Sequence, residues 1–297
     1  MSAVSDKPAV AIIGVGNMGG AIAANLLAQG WPLHVCDLYA AKCRALLPLG
    51  AVVFDSAAEA ARQSTVTILC VVNSLQAGDV LFGEGGVADA MKLGQTVIVC
   101  PTMAPGAVED IALRLRRFGL HCIDAPMSGG PARARDRSMS LMLACGRNVL
   151  ERNRALIDAL SSKVFFISEK AGDGARTKLV NNLAAAINLV GAAEVLAMAS
   201  TMGLDQATTL AVIEQSSGQS WIGSDRMRRA ITGDYAPRAH MTLLEKDTGL
   251  AVQAALDDGF EGPLGGAVRD VFARASASGL ADLDDSALLQ WLSARRI

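Results

Sequence analysis

Near the start of the chain an apolar run, Ala9 to Ile13, passes directly into Gly14-Val15-Gly16-Asn17-Met18-Gly19 and then into a helix-forming stretch, Met18 to Gln29. Gly14 permits a tight turn, Gly16 leaves the backbone open to a pyrophosphate, and Gly19 lets the helix pack close on the strand. The helix N-terminus then offers amide donors to phosphate oxygens. A second apolar run, Leu33 to Asp37, ends in a carboxylate about 20 residues beyond the loop, where an acidic side chain can receive the ribose hydroxyls. The pattern predicts a dinucleotide held by Gly14, Gly16, Asn17, Met18, Gly19 and Asp37. The charge of Asp37 repels a 2′-phosphate, and Leu38, Tyr39, Ala40 and Ala41 supply no arginine to neutralise one. NAD is therefore favoured over NADP.

The same alternation continues along the first half. Val66 to Val72, Thr96 to Cys100 and Leu120 to Asp124 are short apolar runs closed by Asn, Pro or Asp, and read as buried strands. Helical stretches lie at Ala40 to Leu47, Ser56 to Arg62 and Gly106 to Phe118, with Gly30 and Gly119 placed as stops. A strand at Ser138 to Cys145, a helix at Asn148 to Leu160 and a last strand at Val164 to Ser168 complete a domain over residues 1–170, a mostly parallel sheet covered on both faces. From residue 171 to 297 the strand signal stops. Helices are expected at Gly174 to Met202, Asp205 to Gln215, Ser220 to Thr232, Met241 to Asp258, Leu264 to Ser278 and Ser286 to Ala294. Leu183 to Ala199 is apolar on nearly every face, which predicts cover from all sides and hence a homo-oligomer.

Of 297 residues, 51% are hydrophobic and 19% charged, which excludes disorder, and the net charge of −2 gives no positive field for a nucleic acid. The most apolar stretches, Gln63 to Val72 and Leu183 to Ala199, are broken by Ser64, Asn188 and Glu194, short of the roughly 20 apolar residues that cross a bilayer. Met1 to Pro8 holds no apolar core of export-signal length, so a cytoplasmic protein is expected. The six cysteines form no C-x-x-C pair and read as reduced core thiols, with no metal site.

Two further constellations carry chemistry. Asp124-Ala125-Pro126-Met127-Ser128-Gly129-Gly130 stands at the C-terminal end of a strand, where open α/β sheets bind ligands; a Ser-Gly-Gly turn there either offers a hydroxyl and amides to a carboxylate or is simply a turn. In Gly172-Asp173-Gly174-Ala175-Arg176-Thr177-Lys178, followed by Asn181 and Asn182, Lys178 and Asn182 project from one helix face. A lysine near the positive end of an apolar helix suits proton transfer, or snorkels to the surface. His34, His121 and His240 read as structural. Arg226, Arg228 and Arg229 read as a solvated face, with one of them free to meet a substrate charge.

GVGNMGGAIAANLLAQG, DAPMSGG, the G-x-G-x-x-x-K-x-x-N-N run and Lys246-Asp247-Thr248-Gly249-Leu250-Ala251 resemble, in order and spacing, the β-hydroxyacid dehydrogenases, from about Ala9 to Trp291. Val71-Val72-Asn73 to Glu84, Ser220-Trp221 with Arg226-Met227-Arg228, and Gly233-Asp234-Tyr235 resemble the L-threonate dehydrogenase branch. The resemblance implies an α/β Rossmann domain with a doubly wound sheet, then an all-α domain, with the active site in the cleft between them. It implies Lys178 as the catalytic proton acceptor and Asn182 as the amide that orients a small hydroxy-acid substrate. Ser128, Gly129 and Gly130 become the carboxylate cradle, and Val72, Asn73, Thr102 and Lys246 line the cofactor. Met127 stands where the family usually has Val or Ile, and Thr248 where Leu is usual. Tartronate semialdehyde reduction, imine reduction and a non-catalytic cofactor sensor are the alternatives; the retained Lys178 argues against the last two.

Overall fold

The computed structural model describes residues 7–294, so the first six residues read above for an export signal lie outside it. Two compact units meet between Lys178 and Leu179, inside a helix rather than at its start.

In the first unit the strands β1 (Val10–Ile13), β2 (Leu33–Cys36), β3 (Val52–Val53), β4 (Val66–Leu69), β5 (Thr96–Val99) and β6 (His121–Asp124) lie in the order β3-β2-β1-β4-β5-β6, all parallel. Their side chains are buried on both faces because helices cover both, and two apolar layers result. One holds Val10, Ile12, Ile22, Leu26 and Ile98; the other holds Ala11, Ile13, Leu69, Val97 and Leu115. Strand order reverses between β1 and β4, and crevices for ligands open outside the strand ends at such a point.

Beyond β6 the sheet departs from simple alternation. β7 (Met127–Ser128) and β8 (Ser140–Ala144) pair antiparallel, as Asp124 and Ala144 also do, whereas β9 (Lys163–Ser168) pairs parallel with β8. Only 11 residues separate Ser128 from Ser140, and they hold the short helix Gly130–Arg135. A parallel crossover needs about a dozen residues or more, so the chain turns back instead. Helices at Ser74–Phe82 and Val87–Ala90, together with β3, add to the elements expected from sequence.

The second unit is helical: Gln206–Glu214, Trp221–Ile231, Met241–Asp257, Pro263–Ala275 and Leu288–Ser293 follow the long helix Asp173–Thr201. Asp205 and Ser220 cap their helices by accepting from the Thr208 and Gly223 amides, as their positions ahead of periodic runs require. Phe272, Met227, Met241, Leu189 and Leu196 form its core.

The long helix is less covered than its sequence suggests. Ala186, Leu189, Ala193 and Leu196 are buried, but Val180, Val195 and Met198 are exposed. Its 29 residues are also long and apolar enough, by length and composition, to cross a membrane, which the interrupted apolar run had not indicated; a third of its most apolar window is buried.

Candidate active site

The glycine loop is built as its sequence demands. Gly14 adopts φ +88°, and a Cβ there would lie 2.7 Å from the Cys70 carbonyl oxygen at the end of β4. A Cβ on Gly19 would overlap the Gly14 carbonyl oxygen, so this glycine is what allows the helix Asn17–Ala28 to start so close to β1. At Gly16 the opposite holds: a Cβ would meet nothing within 4 Å. Gly16 is also the helix N-cap, with no side-chain cap and no acidic residue in the first turn. The amides of Asn17, Met18 and Gly19 thus open a helix whose positive end faces space that only a small backbone leaves clear.

Asp37 is fixed by this loop. Its Oδ2 accepts from the Val15 N–H at 2.8 Å and its Oδ1 from the Tyr39 N–H at 2.9 Å. A carboxylate has about four acceptor positions, so each oxygen keeps one for a ribose hydroxyl. Leu38 and Tyr39 beside it are exposed, and the Lys42 ammonium stacks 4.6 Å from the Tyr39 ring centroid. These residues fit the adenosine half of a dinucleotide.

Val72 and Asn73 follow β4 and open the helix Ser74–Phe82. The Asn73 side chain accepts from the Gln76 N–H at 2.9 Å, while the Val72 N–H donates to Gln76 Oε1 at 3.0 Å, an exchange that satisfies two orphan amides. Thr102 stands half-buried past β5, and Ser128 ends β7, half-buried beside Gly129 at φ +129° and Gly130 at φ +75°. Met127 turns into the core, so its departure from the family pattern concerns packing.

Asp124 closes β6 and is 1% exposed. Its Oδ2 accepts from the Gly172 N–H at 2.9 Å and the Ala175 N–H at 3.1 Å. Burial pushes its carboxyl up to about 6, against the pull of the Ala175, Gly172 and Gly174 amides and with a like-charge push from Asp173. The thiols of Cys100, Cys122 and Cys145 share this surrounding: the hydrogen bond with Cys70 and then burial raise Cys100, burial raises Cys122 and Cys145, and the Asp124 charge adds to all three. On the outer side of the same turn, Arg176 donates to Glu109 at 2.9 Å and to Asp173 at 3.0 Å.

Lys178 is buried, 7% exposed, in the second turn of the long helix. Asn182, one turn on in the second unit, is also buried. Its Nδ2 donates to Asp247 Oδ2 at 2.6 Å and its Oδ1 accepts from Asn181 at 3.1 Å. The Lys246 ammonium pairs with Asp247 at 3.1 Å. Asp247 thus links two candidate site residues, Asn182 and Lys246, and sequence reading passed it over; the only signal was its place between Lys246 and Thr248. Thr248 is fully buried and donates to the Leu244 carbonyl at 2.8 Å, a core position like Met127.

The arginine cluster is a solvated face only at Arg228, which is exposed; Arg226 and Arg229 are withdrawn from solvent. Arg226 pairs with Asp285 at 2.6 Å, Arg229 with Asp284 at 2.9 Å and Arg228 with Glu214 at 2.6 Å. Against the opposing effect of burial, Arg229 and Ser286 hold the Asp284 carboxyl below its usual range, while burial pushes Asp285 up to about 7. All three cations are thus matched by acids of the same unit. His34 bonds Ser64 Oγ at 2.8 Å and His240 meets the Asp282 carbonyl at 3.2 Å.

Residues 9–168 match the model of the NAD binding domain of 6-phosphogluconate dehydrogenase, and residues 172–292 match that of the NAD-binding domain of NADP-dependent 3-hydroxyisobutyrate dehydrogenase. The chain is 34% identical to the L-threonate dehydrogenase of Cupriavidus necator, over 95% of each chain. It is 28% identical to the mitochondrial 3-hydroxyisobutyrate dehydrogenase of Homo sapiens, over 97% of this chain and 88% of that one. Among solved structures, a 3-hydroxyisobutyrate dehydrogenase from Salmonella typhimurium superposes with a TM-score of 0.90 at 33% identity, covering 95% of this chain and 99% of that one. An imine reductase from Myxococcus stipitatus, at 18% identity and a TM-score of 0.69, shares the fold. With the glycine loop, Asp37 and both halves of the chain accounted for, this protein belongs to the NAD-dependent β-hydroxyacid dehydrogenases, enzymes acting on CH–OH groups.

Proposed function

We propose that this chain oxidises a small hydroxy acid at its hydroxyl-bearing carbon, with L-threonate the first candidate and 3-hydroxyisobutyrate the second. The observation that carries the proposal is a buried lysine, Lys178, one helical turn before an amide, Asn182, whose orientation is set by Asp247. Bound NAD supplies the hydride acceptor. Gly14, Gly16, Asn17, Met18 and Gly19 would hold its pyrophosphate and Asp37 its adenosine ribose, with Val72, Asn73 and Thr102 as further cofactor contacts of the first unit. Ser128, Gly129 and Gly130 receive the substrate carboxylate. Lys178 Nζ, acting as general base, takes the hydroxyl proton as the C–H bond gives up its hydride, and in the reverse direction returns it. Positioning of this kind is the larger contribution, and general-base action adds about 10²–10⁴-fold.

L-threonate leads because the relatives named for it match nearly the whole chain at 32–34% identity, against 28–29% for the 3-hydroxyisobutyrate enzymes. The direct test is NAD reduction by the purified protein over L-threonate, 3-hydroxyisobutyrate, D-glycerate and 6-phosphogluconate, repeated with NADP. Failure with every hydroxy acid, with NAD still bound, sinks the assignment; full turnover by Lys178→Ala sinks the role of the lysine. We also propose a cytoplasmic homo-oligomer, on the six free thiols and on the exposed Val180, Val195 and Met198. A monomeric mass in sedimentation would overturn the oligomer.

A further inference from the structure

The first turn of the long helix Asp173–Thr201 is held in an unusual way. Helix starts are ordinarily capped by a nearby, exposed Ser, Thr, Asp or Asn. Here an acid is at hand in Asp173, but its Oδ2 accepts from the Ser168 hydroxyl at 2.7 Å and its Oδ1 from Arg176. The Gly172 and Ala175 amides go instead to Asp124, a buried carboxylate from the end of β6, 48 and 51 residues away in sequence. Gly174 makes this approach possible: a Cβ there would lie 2.9 Å from the Asp124 carboxyl carbon and 2.9–3.0 Å from its two oxygens, and those are its three nearest neighbours.

Burying that carboxylate is unfavourable, as its raised pKa records, and a local cap would satisfy the amides without it. What the long-range cap adds is a fixed distance. β6 continues through Ala125 and Pro126 into β7 and the Ser128-Gly129-Gly130 turn, in one unbroken register against β8. The helix turn it clamps carries Lys178 four residues beyond Gly174, one turn along the axis. We propose that Asp124 is a positioning residue, which fixes the turn that receives the substrate carboxylate against the helix that presents Lys178. The inference rests on the assignment of Lys178 as proton acceptor. Reaction geometry is sensitive at this scale, since a displacement of about 1 Å can lower a rate about 10²-fold.

Two variants loosen the clamp from opposite sides. Asp124→Asn keeps one oxygen to receive both amides but removes the charge that strengthens those bonds; Gly174→Ala leaves the carboxylate and pushes a methyl into it, in a helix that alanine otherwise favours by about 1 kcal/mol. Each is assayed with NAD and the hydroxy acid that the wild-type chain turns over fastest. The expected result is a fall in kcat of about 10- to 100-fold, with KM for the hydroxy acid and Kd for NAD held within about twofold, a melting temperature at or above wild type in Asp124→Asn and close to wild type in Gly174→Ala, and a deeper loss in Asp124→Ala than in Asp124→Asn. An unchanged kcat in Gly174→Ala overturns the proposal, as does a loss of kcat that follows a lowered melting temperature or is matched by a rise in KM. Lys178→Ala, run alongside, separates the two levels. If it is inactive while Gly174→Ala is fully active, only the positioning role falls; if it is fully active, the lysine assignment falls and takes the positioning role with it.

Discussion

The side-chain amide of Asn182 donates to Asp247 Oδ2 at 2.6 Å, a bond between helices 65 residues apart in sequence. Because a carboxylate only accepts, this bond decides which end of the Asn182 amide is nitrogen and which is oxygen. One N–H and one oxygen lone pair are left for a ligand, in a fixed order. Asp247 also draws in the Lys246 ammonium at 3.1 Å, so a single buried acid orders two residues assigned to substrate and cofactor.

Asp247→Ala should therefore release the Asn182 amide. A hydrogen bond to a charged partner is worth about 1.5–3 kcal/mol, which corresponds to roughly 10- to 100-fold in kcat/KM. Asp247→Asn should fall between the variant and the wild type, since its amide can still accept in one orientation. Steady-state kinetics with varied hydroxy acid at saturating NAD would show it; wild-type kcat/KM in Asp247→Ala would remove Asp247 from the site.

Gly16 and Gly19 should respond differently to the same methyl group. Gly16→Ala points its Cβ into space with nothing beyond its own chain neighbours within 4 Å, so the melting temperature of the cofactor-free protein should move little. NAD would meet that methyl at the pyrophosphate, and its Kd should rise at least tenfold, about 1.4 kcal/mol. Gly19→Ala drives a Cβ into the Gly14 carbonyl and to 3.1 Å from the Cys70 Cβ, so folding stability and NAD binding should fall together. Calorimetry and NAD titration on the pair would test this; equal Kd for Gly16→Ala and wild type would place the pyrophosphate elsewhere.

Asp37→Ser should narrow the preference for NAD. The variant loses the charge opposed to a 2′-phosphate, and the NAD-to-NADP ratio of kcat/KM should drop about tenfold, the scale of one unfavourable contact of about 1.4 kcal/mol. Part of the change should appear as weaker NAD use, because Asp37 also receives the Val15 and Tyr39 amides and a serine can serve only one of them well. A ratio unchanged by the substitution would assign cofactor choice to other residues.

The glycine loop, Asp37 and the helices of the second half were legible because each is written in a run of neighbouring residues: a turn that needs positive φ, an apolar period, a capping serine or aspartate. What was not legible depends on residues far apart. The antiparallel turn of β7 and β8 follows from how few residues join them, while the apolar pattern of a buried strand is the same in either direction. Arg226 and Arg229 look like surface charges until Asp284 and Asp285, more than fifty residues later, come to meet them. The parts assigned to Asp124 and Asp247 likewise exist only through partners 48 to 65 residues away.

Asp124 also makes a prediction about pH. Its carboxyl is held near 6 in the folded protein, above an unfolded value of about 3.9, mainly because burial disfavours the charged form. Between those two values the unfolded chain has released a proton that the folded chain still holds. Stability from this group is thus fully present below about pH 4, declines as pH rises towards 6, and stays at the lower level above it. Asp124→Asn has no such proton to lose. Its melting temperature relative to wild type should climb from pH 4 to pH 6 and then level, corresponding to a plateau gain in stability on the order of 3 kcal/mol. The variant would then be the more stable protein and the slower enzyme at neutral pH, the combination expected where a buried charge is kept for geometry rather than for stability. Thermal unfolding of both proteins from pH 4 to pH 8 would test the point, and a difference independent of pH would mean that Asp124 does not titrate in this range.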